Sequence, residues 1–182
     1  MIDDMEFTTD WVTPREEWWR EIVAPFAGRP IRMLEVGFYE GRSAKWWLEN
    51  LLTHPDSRLV CVDRWPEKGA ANRACIAADP AHSAKFQFHA EDAIQFASRA
   101  LGNGARECYD VIYSDFSKEA ADIATLFGVA WRLLKPGGLY LFDDYRWEWS
   151  PDSGAVKPAR PPKDGIDAMV RLHEHEIGRA HV

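Results

Sequence analysis

Five short apolar runs in this chain stop at or beside an acidic residue, and helical periodicity fills most of the intervals between them. The runs are 31–36, 59–62, 86–89, 109–114 and 139–142, and the acids are Glu35, Asp63, Asp92, Asp115 and the pair Asp143-Asp144. Ala44, Trp47, Leu48 and Leu51 recur at helical spacing after the first run, as do Ile94, Ala97 and Leu101 after the third and Leu126, Val129, Ala130 and Leu133 after the fourth. Thr13-Pro14-Arg15-Glu16 reads as a capping box opening a leading amphipathic helix over about 14–26 that stops near Gly28, and Lys135-Pro136-Gly137-Gly138 breaks the helix before the last run. Repeated strand–helix units predict an α/β fold with a Rossmann-like, doubly wound, mainly parallel sheet. Ligands of such sheets bind outside the carboxyl ends of the strands, where these acids converge.

The first run is the most informative. Met33-Leu34-Glu35-Val36-Gly37-Phe38-Tyr39-Glu40-Gly41-Arg42-Ser43 passes from a buried strand through a turn carrying two glycines into a helix that starts at Ser43. Unpaired amides at a helix start favour an anion, so the turn reads as a nucleotide-type cofactor site. It lacks the middle glycine of a dinucleotide fingerprint, which points to a cofactor smaller and less phosphorylated than NAD. Asp63, about twenty residues past the glycine turn, stands where an acid accepts hydrogen bonds from ribose hydroxyls. Asp92 reads equally well as a helix cap.

Composition narrows the function. A chain of 182 residues, 46% hydrophobic and 13% aromatic, suits one globular domain, taken here as 1–176. A net charge of −7 without a Lys/Arg run disfavours a nucleic-acid partner. Cys61, Cys75 and Cys108 are widely spaced, which predicts neither a disulfide framework nor a zinc site and suits a reducing compartment. The acidic start and the lack of a long apolar stretch predict no leader and no membrane span, hence a cytoplasmic protein.

At these motifs the chain resembles class I S-adenosylmethionine-dependent methyltransferases, from the leading helix to about Met169. Residues 34–43 are similar to the family's first motif, Val62-Asp63 to its second, and Leu133-Leu134-Lys135-Pro136-Gly137-Gly138 to the loop before its fifth strand. The resemblance implies that Glu35, Gly37 and Tyr39, with Phe38 and Gly41 of the same turn, line the methionine part of the cofactor. Ser43 would hold the carboxylate and Asp63 the ribose, with Arg64 or Trp65 beside the adenine; Asp92 and Asp115 complete the cofactor rim.

Two narrower resemblances concern the acceptor side. Asp115-Phe116-Ser117-Lys118 and Asp143-Asp144 are similar to positions of metal-dependent O-methyltransferases of the catechol and caffeoyl-CoA type. Phe142-Asp143-Asp144-Tyr145 also resembles a bacterial and phage-borne group often labelled methyltransferase family 24, whose usual Asp-Gly-Ser-His departs here at Phe116 and Lys118. They imply O-methylation of a small-molecule or sugar hydroxyl, with Asp115, Asp143 and Asp144 as ligands of a Mg²⁺ ion. Such an ion takes hard oxygen ligands and would activate a substrate hydroxyl. Lys118, with Asp115 the candidate catalytic residue, takes a proton near neutrality only where its surroundings lower its pKa from about 10.4. The other reading of Lys118 is a solvated lysine, and of Asp143-Asp144 one structural carboxylate and one loop residue. A noncatalytic cofactor-binding or interaction module of the same fold and a nicotinamide-dependent oxidoreductase are the alternative functions.

Trp147 and Trp149 lie in a long proline-containing stretch, read as a substrate lid or as cover for the sheet edge; Trp19 and Trp47 are core by helical phase. His173-Glu174-His175 reads as a solvated helix end. Residues 177–182, Ile-Gly-Arg-Ala-His-Val, look like a translated sequencing adapter, so a non-native tail is expected. The family's sheet usually continues with two more strands, for which no sequence remains; the run 139–142 is then an exposed edge inviting self-association.

Overall fold

The computed structural model describes residues 1–153 and 155–176; the expected adapter-derived tail lies outside the described residues. Strands β1 (Arg32–Val36), β2 (Arg58–Asp63), β3 (Phe86–Ala90), β4 (Tyr109–Ser114) and β5 (Leu134–Phe142) form one sheet in the order β3-β2-β1-β4-β5. Every neighbouring pair is parallel, with Glu35 opposite Cys61 on one side and Tyr113 on the other. Because the chain moves outward from β1 to β3 and then returns to β4 beside β1, the winding reverses between β1 and β4. That reversal is where a doubly wound sheet opens a crevice.

Alternation along the strands sorts the core into two layers. Met33, Leu59, Cys61, Val111, Tyr113 and Leu141 face a cluster that includes Trp19 of α1 (Glu16–Val23), Trp46 and Trp47 of α2 (Arg42–Asn50) and Ile76 of α3 (Ala70–Ala77). Leu34, Val36, Val60, Val62 and Ile112 face α4 (Ala93–Gly102) and α5 (Ala120–Ala130). Trp19 stacks on Trp47 at 4.3 Å and meets Tyr113 edge-on at 5.5 Å, so the aromatic residues anchor the leading helix to the middle of the sheet. The last helix, α6 (Pro162–Leu172), packs on α5, where a Cβ on Gly165 would lie 2.3 Å from the Ala120 carbonyl oxygen.

Several local expectations are corrected. The leading helix is α-helical only over Glu16–Val23, between 3₁₀ turns at Thr13–Arg15 and Ala24–Phe26. No capping box forms there; Asp10 instead accepts from Val12 N at 3.1 Å and Thr13 N at 2.9 Å. Helix α5 ends at Ala130, five residues before Lys135, and the Lys135-Gly138 turn lies within the extended β5 segment, beside a register irregularity opposite Tyr109 and Val111. His173 is not a free helix end: its ring packs against Phe127 at 5.4 Å and Trp131 at 5.3 Å. Among the described residues no helix is long and apolar enough to cross a membrane. The outer edge of β5 floors a groove of about 1060 Å³ between Trp18 and Ile22 on one side and Phe127, Trp131 and Ile166 on the other.

Candidate active site

The turn after β1 is built to close on the turn after β4. Gly37 adopts φ +92°, donates from its N–H to the Val62 carbonyl at 2.9 Å, and sits so close to β4 that a Cβ would lie 1.7 Å from the Asp115 carbonyl oxygen. Only glycine provides that conformation and that approach together. Gly41, at φ +80°, precedes α2 and faces the Phe38 ring, which a Cβ would meet at 2.2 Å. Tyr39 is held at φ +47°, in the left-handed region that few side chains adopt.

Asp63 stabilises that conformation. One carboxylate oxygen accepts from both Phe38 N and Tyr39 N at 2.9 Å, and the other accepts from Trp65 N at 2.9 Å. Three of the carboxylate's four acceptor sites are thus used, and the one left, on the oxygen that faces Trp65 N, is compatible with the expected contact with a ribose hydroxyl. Arg64 lies over the Trp65 ring at 4.7 Å, and both are exposed at the end of β2. The Phe38 ring is buried among Phe86, Phe88 and Arg73 and belongs to the core. Asp92 caps α4, accepting from Ile94 N at 2.9 Å and Gln95 N at 3.2 Å, the structural one of its two readings.

Glu35 is fully buried at the end of β1, where its carboxylate accepts from the Ser43 hydroxyl and from Cys61 Sγ at 3.0 Å. Burial raises its pKa, hydrogen bonds from Ser43 and Cys61 oppose the shift, and the net result is a carboxyl pushed up to about 7. Cys61 as its partner was not foreseen; the pairing follows from their opposite register positions on β1 and β2.

On the other side of the crevice, Asp115, Asp143 and Asp144 each offer an oxygen within 4.8 Å of the others. Lys118 lies between two of them, donating to Asp115 at 2.8 Å and to Asp144, while Arg15 Nε reaches Asp143 at 3.2 Å. Asp143 and Asp144 thus both bring an oxygen to one cluster with Asp115. Burial pulls the Lys118 pKa down, but Asp115 and Asp144 outweigh it and raise the net value. That direction is opposite to the one a base near neutrality requires. Burial and the neighbouring Asp115 push the Asp144 carboxyl up to about 7.

A small pocket joins the two halves, walled by the Gly37–Ser43 turn, by Asp115 and Asp143, and by Trp11, Val12 and Arg15 of the N-terminal segment. That segment is tied down by Thr8 to Glu40, by Asp10 to Arg42 at 2.6 Å, and by Asn72, which bridges the Glu6 and Glu40 carbonyls. Trp11 and Arg15 were not anticipated as site residues, because nothing local in sequence links them to acids a hundred residues away. Neither Trp147 nor Trp149 lines this pocket; Trp149 donates to the Ala155 carbonyl at 3.0 Å. The lid reading is left without a contact to support it.

A family profile described as "Methyltransferase domain" matches residues 34–145, from β1 to just past the acid pair. The fold is shared with solved structures. An O-methyltransferase from Bacillus cereus in complex with SAH is 18% identical, with a TM-score of 0.67 over 96% of this chain and 74% of that one. The O-methyltransferase TomG from Streptomyces achromogenes, involved in tomaymycin synthesis and solved with SAM, is 24% identical, with a TM-score of 0.61 over 97% and 72%. MycE methyltransferase of the mycinamycin biosynthetic pathway, in complex with Mg, SAH and mycinamycin VI, is 17% identical, with a TM-score of 0.58 over 90% of this chain and 43% of that one. A search of curated proteins finds no match.

Proposed function

Because the chain belongs to the methyltransferase-domain family, of the class I S-adenosylmethionine-dependent type, we propose that it transfers a methyl group from S-adenosylmethionine to an oxygen of a small-molecule or sugar hydroxyl. One observation carries this reading: the cofactor-type turn, clamped by Asp63, abuts the Asp115–Lys118–Asp144 cluster through the Gly37–Asp115 approach. The two parts that methyl transfer must bring together are therefore neighbours.

The cofactor supplies an electrophilic sulfonium methyl when bound. Asp63 orders the turn and offers an acceptor to a ribose, while Asp115 and Asp143, which line the pocket, supply the acidic surroundings a cofactor ammonium needs; Glu35 lies fully buried behind the turn. On the acceptor side, Lys118 Nζ, fixed by two carboxylates, donates to the acceptor oxygen and stabilises it as its proton leaves. Asp144, with its raised pKa, accepts that proton at a carboxylate oxygen. The donor set of Asp115, Asp143 and Asp144 also fits a Mg²⁺ ion by its chemistry; these three residues would hold it, and it would supply Lewis acidity to the acceptor oxygen.

Calorimetric titration with S-adenosylhomocysteine, with and without Mg²⁺, tests the reading directly. Saturable binding is expected, and tight binding of NAD in place of S-adenosylhomocysteine would refute it. Methyl transfer that survives EDTA undiminished, together with an Asp144→Ala variant of unchanged rate, would remove the metal from the scheme.

A further inference from the structure

We propose that Arg15 is the side chain that binds the carboxylate of the cofactor's amino-acid end, an assignment that rests on the methyl-transfer reading above. An α-amino-acid end is a zwitterion and needs an acid and a base side by side. The pocket presents such a unit, since Arg15 Nε lies 3.2 Å from an Asp143 oxygen and both residues line the wall, with Asp115 beside them.

Two other donors in the wall, Ser43 and Arg42, are committed elsewhere. The Ser43 hydroxyl proton is directed to Glu35 Oε1, so Ser43 has none left for a carboxylate. Arg42 is tied to Asp10 at 2.6 Å and to Thr13 at 3.5 Å, and lies over the Phe7 ring. Arg15 uses Nε for Asp143 and one terminal nitrogen for the Trp11 carbonyl, out of the five N–H donors of a guanidinium. Trp19, also in the wall and 1% exposed, carries an indole N–H with no acceptor among the described residues. A buried donor without an acceptor, next to an incompletely used guanidinium, calls for an acceptor brought by the ligand.

The assignment makes the N-terminal segment part of the cofactor site. Arg15 stands in the 3₁₀ turn preceding α1, so the segment that walls the pocket also provides its anion-binding charge.

The test compares two ligands sharing nucleoside and thioether. S-adenosylhomocysteine has the amino-acid end and 5′-methylthioadenosine lacks it. Titrated into the full chain, Arg15→Ala is expected to weaken S-adenosylhomocysteine roughly 10- to 100-fold while leaving 5′-methylthioadenosine within about twofold, and Arg15→Lys is expected to recover part of the loss. Equal losses for both ligands, or none for either, overturn the assignment and leave the functional reading standing. Failure of the unsubstituted chain to bind either ligand overturns the functional reading and the assignment with it.

Discussion

Glu35→Gln isolates the electrostatic cost of the buried acid at the end of β1. Glu35 is 0% exposed, and its carboxyl is raised from 4.5 to about 7, first by burial, against hydrogen bonds from Ser43 and Cys61 and with a further push from Asp115. A pKa higher in the folded than in the unfolded chain means that the folded state holds the proton more tightly. The resulting stability is present at acid pH and is lost as the pH rises through about 7. Integrating the two titration curves gives a loss of about 2.5 kcal/mol between about pH 5 and about pH 8, approaching about 3.4 kcal/mol at higher pH. Glutamine preserves the volume, and its carbonyl oxygen can still accept from Ser43, but it has no proton to lose. Asp143 and Asp144 are also raised and are present in both proteins, so their contributions cancel in the difference. Urea unfolding of both proteins at the two pH values measures the effect. The variant should gain on the unsubstituted chain by about 2.5 kcal/mol from the lower to the higher pH. A gap that does not change with pH, or that shrinks, would refute the burial-driven shift.

Gly37→Ala forces a Cβ to within 1.7 Å of the Asp115 carbonyl oxygen at a positive φ, and should cost about 3 kcal/mol or more, read as a Tm lower by roughly 10 °C; an unchanged Tm would contradict the close approach of the two turns. Asp144→Asn removes the proposed proton acceptor and should lower kcat by about 100-fold or more with little change in S-adenosylhomocysteine binding, measured by a product-release assay alongside calorimetry. We propose further that the open edge of β5 promotes self-association: sedimentation velocity should reveal concentration-dependent oligomers that Leu139→Lys reduces, and a monomer at every concentration would sink the idea.

Much of this architecture is legible from apolar periodicity, because strands buried on both faces leave unbroken apolar runs. The expected run 59–62 lies within the observed Arg58–Asp63, and 109–114 coincides with Tyr109–Ser114. Helix α3 is not legible for the converse reason: only Asn72 and Ile76 of its eight residues are buried, so it has no apolar stripe to read. The turn after β1 was legible through its glycines, whose positive φ values have a local cause. Arg15 was not, because its role depends on where the N-terminal segment crosses the sheet, and that is fixed by the packing of Trp19 on Trp47 and Tyr113.

The acids at the strand ends carry a further lesson, since one residue type at equivalent places does three different jobs. Asp63 accepts from turn amides, Asp92 accepts from helix amides, and Asp115, Asp143 and Asp144 face side-chain cations. Which job an acid takes depends on the donors within reach, and only the fold supplies those. In the third group, three carboxylates face the two cations Lys118 and Arg15, which leaves one formal negative charge when all are ionised. On the methyl-transfer reading, that charge favours a cationic sulfonium and loses its hold once the methyl has left and the sulfur is neutral. It also disfavours a polyanionic acceptor, which would have to enter against both the local charge and the chain's net −7. A neutral hydroxyl compound meets no such barrier, and its oxygen gains negative character only as Lys118 is in place to stabilise it.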